Sequence, residues 1–157
     1  MEGNHSAEDC LKKTSEVIHK CFEELIAHKI DLKGIILKPN MILSGNKSQN
    51  KISNDEVASK TLECLKKSVP NEVPGIAFLS GGQSEIEATE NLNLINKNNN
   101  TNFIMTYSYG RALQQSALKV WSNDIENVEA TQTTFNHRAK MCTLAAQGKW
   151  SSELENK

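Results

Sequence analysis

The sequence predicts an α/β fold, a partial TIM (β/α)8 barrel, and three observations lead there. Short apolar runs at residues 34–37, 73–79 and 103–107 are rich in branched or aromatic side chains and bounded by Gly, Pro or Ser, the mark of buried strands. Longer segments with apolar residues at near-helical spacing alternate with them. The strand-plus-helix units recur at about 30 to 40 residues, the period of a barrel that needs eight units in about 250 residues. Three strands therefore make part of a barrel.

Ahead of the first strand, residues 6–28 interleave Leu11, Val17, Ile18, Cys21, Phe22, Leu25 and Ile26 with Glu and Lys, which predicts an amphipathic helix with one buried face. The run at 34–37 ends in Lys38-Pro39. Pro39 has no N–H and fixes its own φ, so Lys38 sits where strand gives way to loop. Residues 42–52, rich in Ser, Asn, Lys and Gly, read as that loop. Ser53-Asn54-Asp55-Glu56 then opens a helix that Val57, Leu62, Leu65 and Val69 carry to Pro70.

The second strand runs into Ser80-Gly81-Gly82-Gln83-Ser84-Glu85 and a helix over about 84–94, and the asparagine tract at 96–102 reads as a surface loop. The third ends at Ser108-Tyr109-Gly110-Arg111, ahead of a helical run at 112–118. A last helix over about 123–147, with a break, stops at Gly148. Residues 151–157, with Trp150 before them, are expected to form a frayed tail.

At 157 residues, the chain is expected to form a single domain over 1–157. With 18 basic and 19 acidic side chains the formal net charge is -1, which gives no electrostatic case for nucleic acid or an anionic membrane surface. No apolar run approaches the roughly 18 residues of a membrane span, and Met1-Glu2-Gly3-Asn4-His5 has no signal-peptide character. A soluble, cytoplasmic protein is expected. Cys10, Cys21, Cys64 and Cys142 form no C-x-x-C pair, and His5, His19, His28 and His137 form no metal-spaced set, so the cysteines read as reduced thiols and no metal site is expected.

Chemistry is expected at the three strand ends. A free lysine amine is protonated near neutral pH, with a pKa of roughly 10.4, and burial beside apolar neighbours lowers such a pKa towards about 7–8, where the amine becomes an imine former. Placement of Lys38 beside Ile36 and Leu37 predicts that burial; the alternative is a lysine that snorkels into solvent. Ser80, Gly81 and Gly82 before a helix allow close backbone approach to a phosphate, although paired glycines more often simply turn the chain. Arg111 adds a planar fork suited to the same anion.

Three segments, GIILKPNM, VPGIAFLSGGQSEIEATENLNLIN and TYSYGRALQQSALKVW, closely resemble the last three βα units of class I fructose-bisphosphate aldolases, over about residues 5–150. The resemblance implies a lyase of glycolysis that reversibly cleaves fructose 1,6-bisphosphate to dihydroxyacetone phosphate and glyceraldehyde 3-phosphate. By motif, Lys38 matches the family's Schiff-base lysine. Ser80, Gly81 and Gly82 match its phosphate-binding turn, and Ser108, Gly110 and Arg111 match the residues that close on the same phosphate. The resemblance implies no metal or other cofactor, because the protonated imine is itself the electron sink. It also implies sugar-phosphate ligands and, in the family, a common homotetramer.

The departures are as informative. The family's acid/base carboxylates, its further active-site lysines and its second phosphate arginine lie on earlier strands outside these segments. Its carboxyl-terminal tail ends in a tyrosine, where this sequence has Ser151-Ser152-Glu153-Leu154-Glu155-Asn156-Lys157. Two readings are open: an imine-forming aldolase, or a truncated, inactive aldolase-like remnant or interaction protein.

Overall fold

In the computed structural model, which describes residues 2–156, the elements alternate as the sequence predicts. They are α1 (Ala7–Ala27), β1 (Ile36–Leu37), α2 (Asn54–Ser68), β2 (Gly75–Phe78), α3 (Glu85–Lys97), β3 (Ile104–Tyr107), α4 (Arg111–Asn123) and α5 (Val128–Ala146). Three of the helices start with the same device. Ser6, Ser53 and Ser84 each accept the N–H three residues on, while Asp9, Glu56 and Glu87 reach back to the serine's own N–H. Each reciprocal pair satisfies two backbone donors that an uncapped helix leaves open.

The strands form one parallel sheet in the order β1-β2-β3. Leu37 pairs with Ile76, Ile76 with Met105, and Phe78 with Tyr107. Pairing continues past the strands, because the Leu79 N–H donates to the Pro39 carbonyl at 3.0 Å and the Ser108 N–H to the Phe78 carbonyl at 2.8 Å. The three carboxyl ends are therefore level at one edge.

One face of the sheet is covered and the other is open. Ile76, Phe78 and Met105 are buried in a core with Leu65, Leu92, Ile95 and Met141, and α3 packs on both α2 and α5 behind them. On the opposite face, Ile36 and Ile104 are 68% and 75% exposed. The period of two along each strand puts Gly75 and Ala77 on that open face as well.

Four expectations change in detail. The first strand is only Ile36–Leu37, because Asp31 caps a 3-10 turn over Leu32–Gly34 that uses up its start. The loop at 42–52 is irregular as expected, but Met41 and Ile42 ahead of and within it are core residues, and the Ile42 N–H donates to Thr61 Oγ1 at 2.9 Å. α3 runs on to Lys97, into the tract expected to be loop, and Asn99 organises the connection to β3 by bonding both Thr101 and the Phe103 carbonyl. The last helix starts at Val128 and not near 123, because α4 runs on to Asn123 and the chain then turns where Asp124 accepts the Glu126 N–H and Asn127 caps Ala130.

The tail at 151–157 is not frayed over its described residues. Ser152–Asn156 form a 3-10 turn, and Trp150 is 5% exposed with its N–H on Asn93 Oδ1 at 3.0 Å. Arg138, buried on α5, grips Glu155 through two bonds of 3.0 and 2.7 Å, and Trp150 Nε1 donates to the same carboxylate at 2.7 Å. An ion pair between residues with no shared period holds the segment, which is why its composition reads as disorder.

Candidate functional site

The level strand ends bring the predicted residues to one edge of the sheet. Lys38 follows β1, Ser80 to Gly82 follow β2, and Ser108 to Arg111 follow β3. Continuing the register by one residue sets Lys38 beside Ala77, and Ala77 pairs with Thr106. By strand alternation Lys38 shares the open face with Ile36. A cleft of ≈ 380 Å³ between α1 and the ends of β1 and β2 includes Thr14, Lys38, Asn40 and Leu79 in its wall.

Lys38 is exposed, not buried as the strand-end position predicts. The physical reason is the sheet itself. A barrel interior is filled by inward side chains from several strands, and here the face that carries Lys38 has three strands and, among the described residues, leaves Ile36 and Ile104 in solvent.

After β2 the chain turns sharply. Gly81 and Gly82 take φ of 64° and 84°, and the Gln83 N–H closes the turn on the Ser80 carbonyl at 3.2 Å. Two successive left-handed residues are costly with a Cβ and free of that cost for glycine. Ser80 is nearly buried, and among the described residues no acceptor engages the N–H of Gly81 or Gly82. Free N–H groups at such a turn suit an oxyanion. The helix behind it does not compete for that anion, since Ser84 already caps α3 and Glu85 and Glu87 occupy its first turn.

After β3, Gly110 stands at the N-cap of α4 without a side-chain cap, and Arg111 is the first helical residue. No acidic side chain occupies that first turn, so its N–H groups keep their positive dipole end. Arg111 is exposed, and the ion pairs among the described residues involve neither Arg111 nor Lys38. Both cations face solvent from the same edge. Ser108 and Gly110 are exposed alongside them.

Two residues that the sequence reading passed over hold these turns from behind. Tyr109 is buried, its hydroxyl donates to the Ala88 carbonyl at 2.9 Å, and its ring packs on Tyr107 with centroids 5.4 Å apart. Burial pushes its hydroxyl far above the ordinary tyrosine range, so it serves as a neutral donor. Glu85 crosses from α3 to α4 and accepts both the N–H and the hydroxyl of Ser116. A buried tyrosine between Ser108 and Gly110 is the signal that was available: an aromatic inside a small-residue turn has to pack somewhere.

The family model for fructose-bisphosphate aldolase class-I matches residues 1–157. The chain belongs to the class I fructose-bisphosphate aldolase family. Among relatives of the family, it is 41% identical over 153 residues to a fructose-bisphosphate aldolase of Dictyostelium discoideum, which covers 98% of this chain and 43% of that one. It is 45% identical over 152 residues to fructose-bisphosphate aldolase C of Carassius auratus, covering 96% of this chain and 42% of the relative. A solved aldolase of Plasmodium falciparum, in complex with TRAP and a small molecule inhibitor, superposes with a TM-score of 0.92 at 40% identity, over 96% of this chain and 44% of that chain. The chain thus spans less than half the length of these aldolases, and its sheet is part of an α/β barrel.

Proposed function

We propose that this chain carries the imine-forming and phosphate-holding part of a class I fructose-bisphosphate aldolase. The observation that carries the reading is the level placement of Lys38, the Ser80-Gly81-Gly82 turn and the Ser108 to Arg111 turn at one sheet edge. In the proposed reaction Lys38 Nζ adds to the C2 carbonyl of fructose 1,6-bisphosphate or dihydroxyacetone phosphate, and loss of water leaves a protonated imine. With fructose 1,6-bisphosphate, that imine takes up the electrons of the C3–C4 bond to become an enamine as a base removes the C4 hydroxyl proton and glyceraldehyde 3-phosphate leaves, so no metal or other cofactor is required. Ser80, Gly81, Gly82, Ser108 and Gly110 donate to the C1 phosphate and Arg111 forks onto it.

No side chain on the open face between Ile36 and Ser108 is a carboxylate, so this face does not itself supply the general acid and base, worth about 10²–10⁴-fold in rate. That observation favours one second reading, an aldolase-like interaction protein that binds a sugar phosphate without turnover. A cytoplasmic location fits both readings. One relative is a cytosolic aldolase of Arabidopsis thaliana, and no helix among the described residues is long and apolar enough to cross a membrane.

Borohydride reduction in the presence of dihydroxyacetone phosphate tests the proposal. One reduced triose phosphate should attach to Lys38, located by peptide mass. Modification of Lys33 or Lys47 with Lys38 untouched sinks the assignment. Cleavage of fructose 1,6-bisphosphate by the same preparation separates the enzyme from the interaction protein.

A further inference from the structure

The turn after β2 is held by a buried amide that neither turn glycine touches. Gln83 is 8% exposed and Asn91 is fully buried. Gln83 Nε2 donates to the Ser80 carbonyl at 2.8 Å, beside the backbone bond to the same oxygen. Gln83 Oε1 accepts Asn91 Nδ2 at 2.7 Å, which fixes which way the amide faces. Gln83 Nε2 also lies 3.6 Å from Met41 Sδ, in the loop that begins at Lys38-Pro39.

We infer that Gln83 is the positioning residue for anion binding at this turn: by holding the Ser80 carbonyl toward the core, it aims the Gly81 N–H out of it. The inference rests on the reading of Ser80 to Gly82 as a phosphate turn. In a trans peptide unit the carbonyl and the following N–H lie in one plane and point in opposite directions. Ser80 C=O and Gly81 N–H share one such unit, so whatever fixes the carbonyl fixes the donor.

Side-chain sterics do not fix it. Gly81 and Gly82 have no Cβ, Gly82 has open space where one would stand, and both occupy backbone regions where glycine moves freely. A unit turned over would present its carbonyl oxygen to the incoming phosphate and repel it. The chain Asn91–Gln83–Ser80 anchors the turn to the buried face of α3, so the donor is set before any ligand arrives.

Selective labelling reads this directly. Serine carrying 13C at the carbonyl combined with 15N-glycine marks only the two Ser-Gly bonds of the chain, Ser44-Gly45 and Ser80-Gly81. Gly45, whose own N–H donates to the His5 carbonyl at 2.9 Å, is the internal reference. In the wild-type chain, dihydroxyacetone phosphate should shift the Gly81 resonance and spare Gly45. Gln83→Met should move the Gly81 resonance before any ligand is added and weaken binding about tenfold, as expected for loss of a buried hydrogen bond. Gln83→Glu supplies a readout that simple destabilisation does not move. A protonated carboxyl donates to the Ser80 carbonyl and an ionised one cannot, so its affinity relative to wild type at the same pH should recover as pH falls.

If Gln83→Met leaves both the Gly81 resonance and the affinity at wild-type values, the inference is wrong. Should that variant not fold, Asn91→Ala, which keeps Gln83 and removes its anchor, decides the same question by the same two readings. If dihydroxyacetone phosphate leaves Gly81 unmoved in both wild type and Arg111→Ala, the phosphate reading fails. The hold on the turn is then decided by the ligand-free resonance of Gln83→Met alone.

Discussion

The two faces of the sheet are built from the same three strands and obey opposite rules. On the covered face Ile76 and Phe78 are completely buried and Met105 is 2% exposed, whereas Ile36 and Ile104 on the other are mostly in solvent. Stability comes from the first face. The proposed chemistry belongs to the second, where Lys38 stands, yet its geometry is set from behind by Gln83 and Tyr109 on the helix side. The site and its supports can therefore be perturbed separately.

The largest effect should come from comparing matched truncations on the two faces. Phe78→Ala empties a fully buried site and should cost about 3–5 kcal/mol in urea unfolding, enough to threaten a domain of ordinary stability. Ile104→Ser removes a side chain already in water and should stay within about 0.5 kcal/mol. Equal losses at both positions would mean that the open face is covered in solution.

Next in size is the tail latch, which closes the covered side at its far end. The Glu155 carboxyl is pushed up by burial, but its bonds to Arg138, Trp150 and His137 outweigh that and leave it below its ordinary 4.5. A depressed carboxylate adds stability that is present above the unfolded value and lost as pH falls through the folded one. The latch should therefore hold from neutrality to about pH 4.5 and open below it. Glu155→Gln should abolish that acid transition and cost about 2–3 kcal/mol, less than a wholly buried pair because the side chain is 14% exposed. Fluorescence of Trp150 in a Trp121→Phe background tracks the opening. No change in the acid transition would show that the pair does not hold the tail.

On the open face, Arg111→Ala should leave unfolding unchanged and weaken binding of a triose phosphate by about 1.5–3 kcal/mol, roughly tenfold or more. Calorimetry measures the binding and a urea melt the stability. A stability loss matching the affinity loss would break the separation of faces at this residue.

What the sequence made legible was whatever repeats locally. Gly- and Pro-bounded branched runs, near-helical spacing and Ser-x-x-Glu starts each depend on neighbours a few residues away, and all three strands and the main helices can be read from them. The residues proposed for the site were legible as motifs, and the fold places those motifs at strand ends. The features that stayed hidden depend on distant partners. Glu155 reads as one more charge in a polar tail until Arg138, on another element, is found beside it. Gln83 reads as a turn residue, and only the fold places it under Met41 and against Asn91. Lys38 was expected to be buried by its strand-end place beside Ile36 and Leu37, but Ile36 is itself in solvent and a three-strand sheet brings no side chains across to cover that face.

The smallest effect on stability, and the sharpest test of the open face, comes from adding charge there. β1 and β3 are both edge strands, and each presents an exposed isoleucine on the same face. Unpaired edges next to apolar surface favour pairing with another chain, and lysine on an edge opposes it. The wild-type chain should therefore sediment as self-associated species, more so at higher concentration. Ile36→Lys combined with Ile104→Lys should shift the distribution toward monomer while the melt stays within about 0.5 kcal/mol per site, since neither side chain leaves a packed environment. Two outcomes are informative against this account. A wild-type chain that is already monomeric shows that three strands tolerate an open face. A double variant that unfolds shows that the two isoleucines pack against something in solution, and then the face proposed to receive the sugar phosphate is not free.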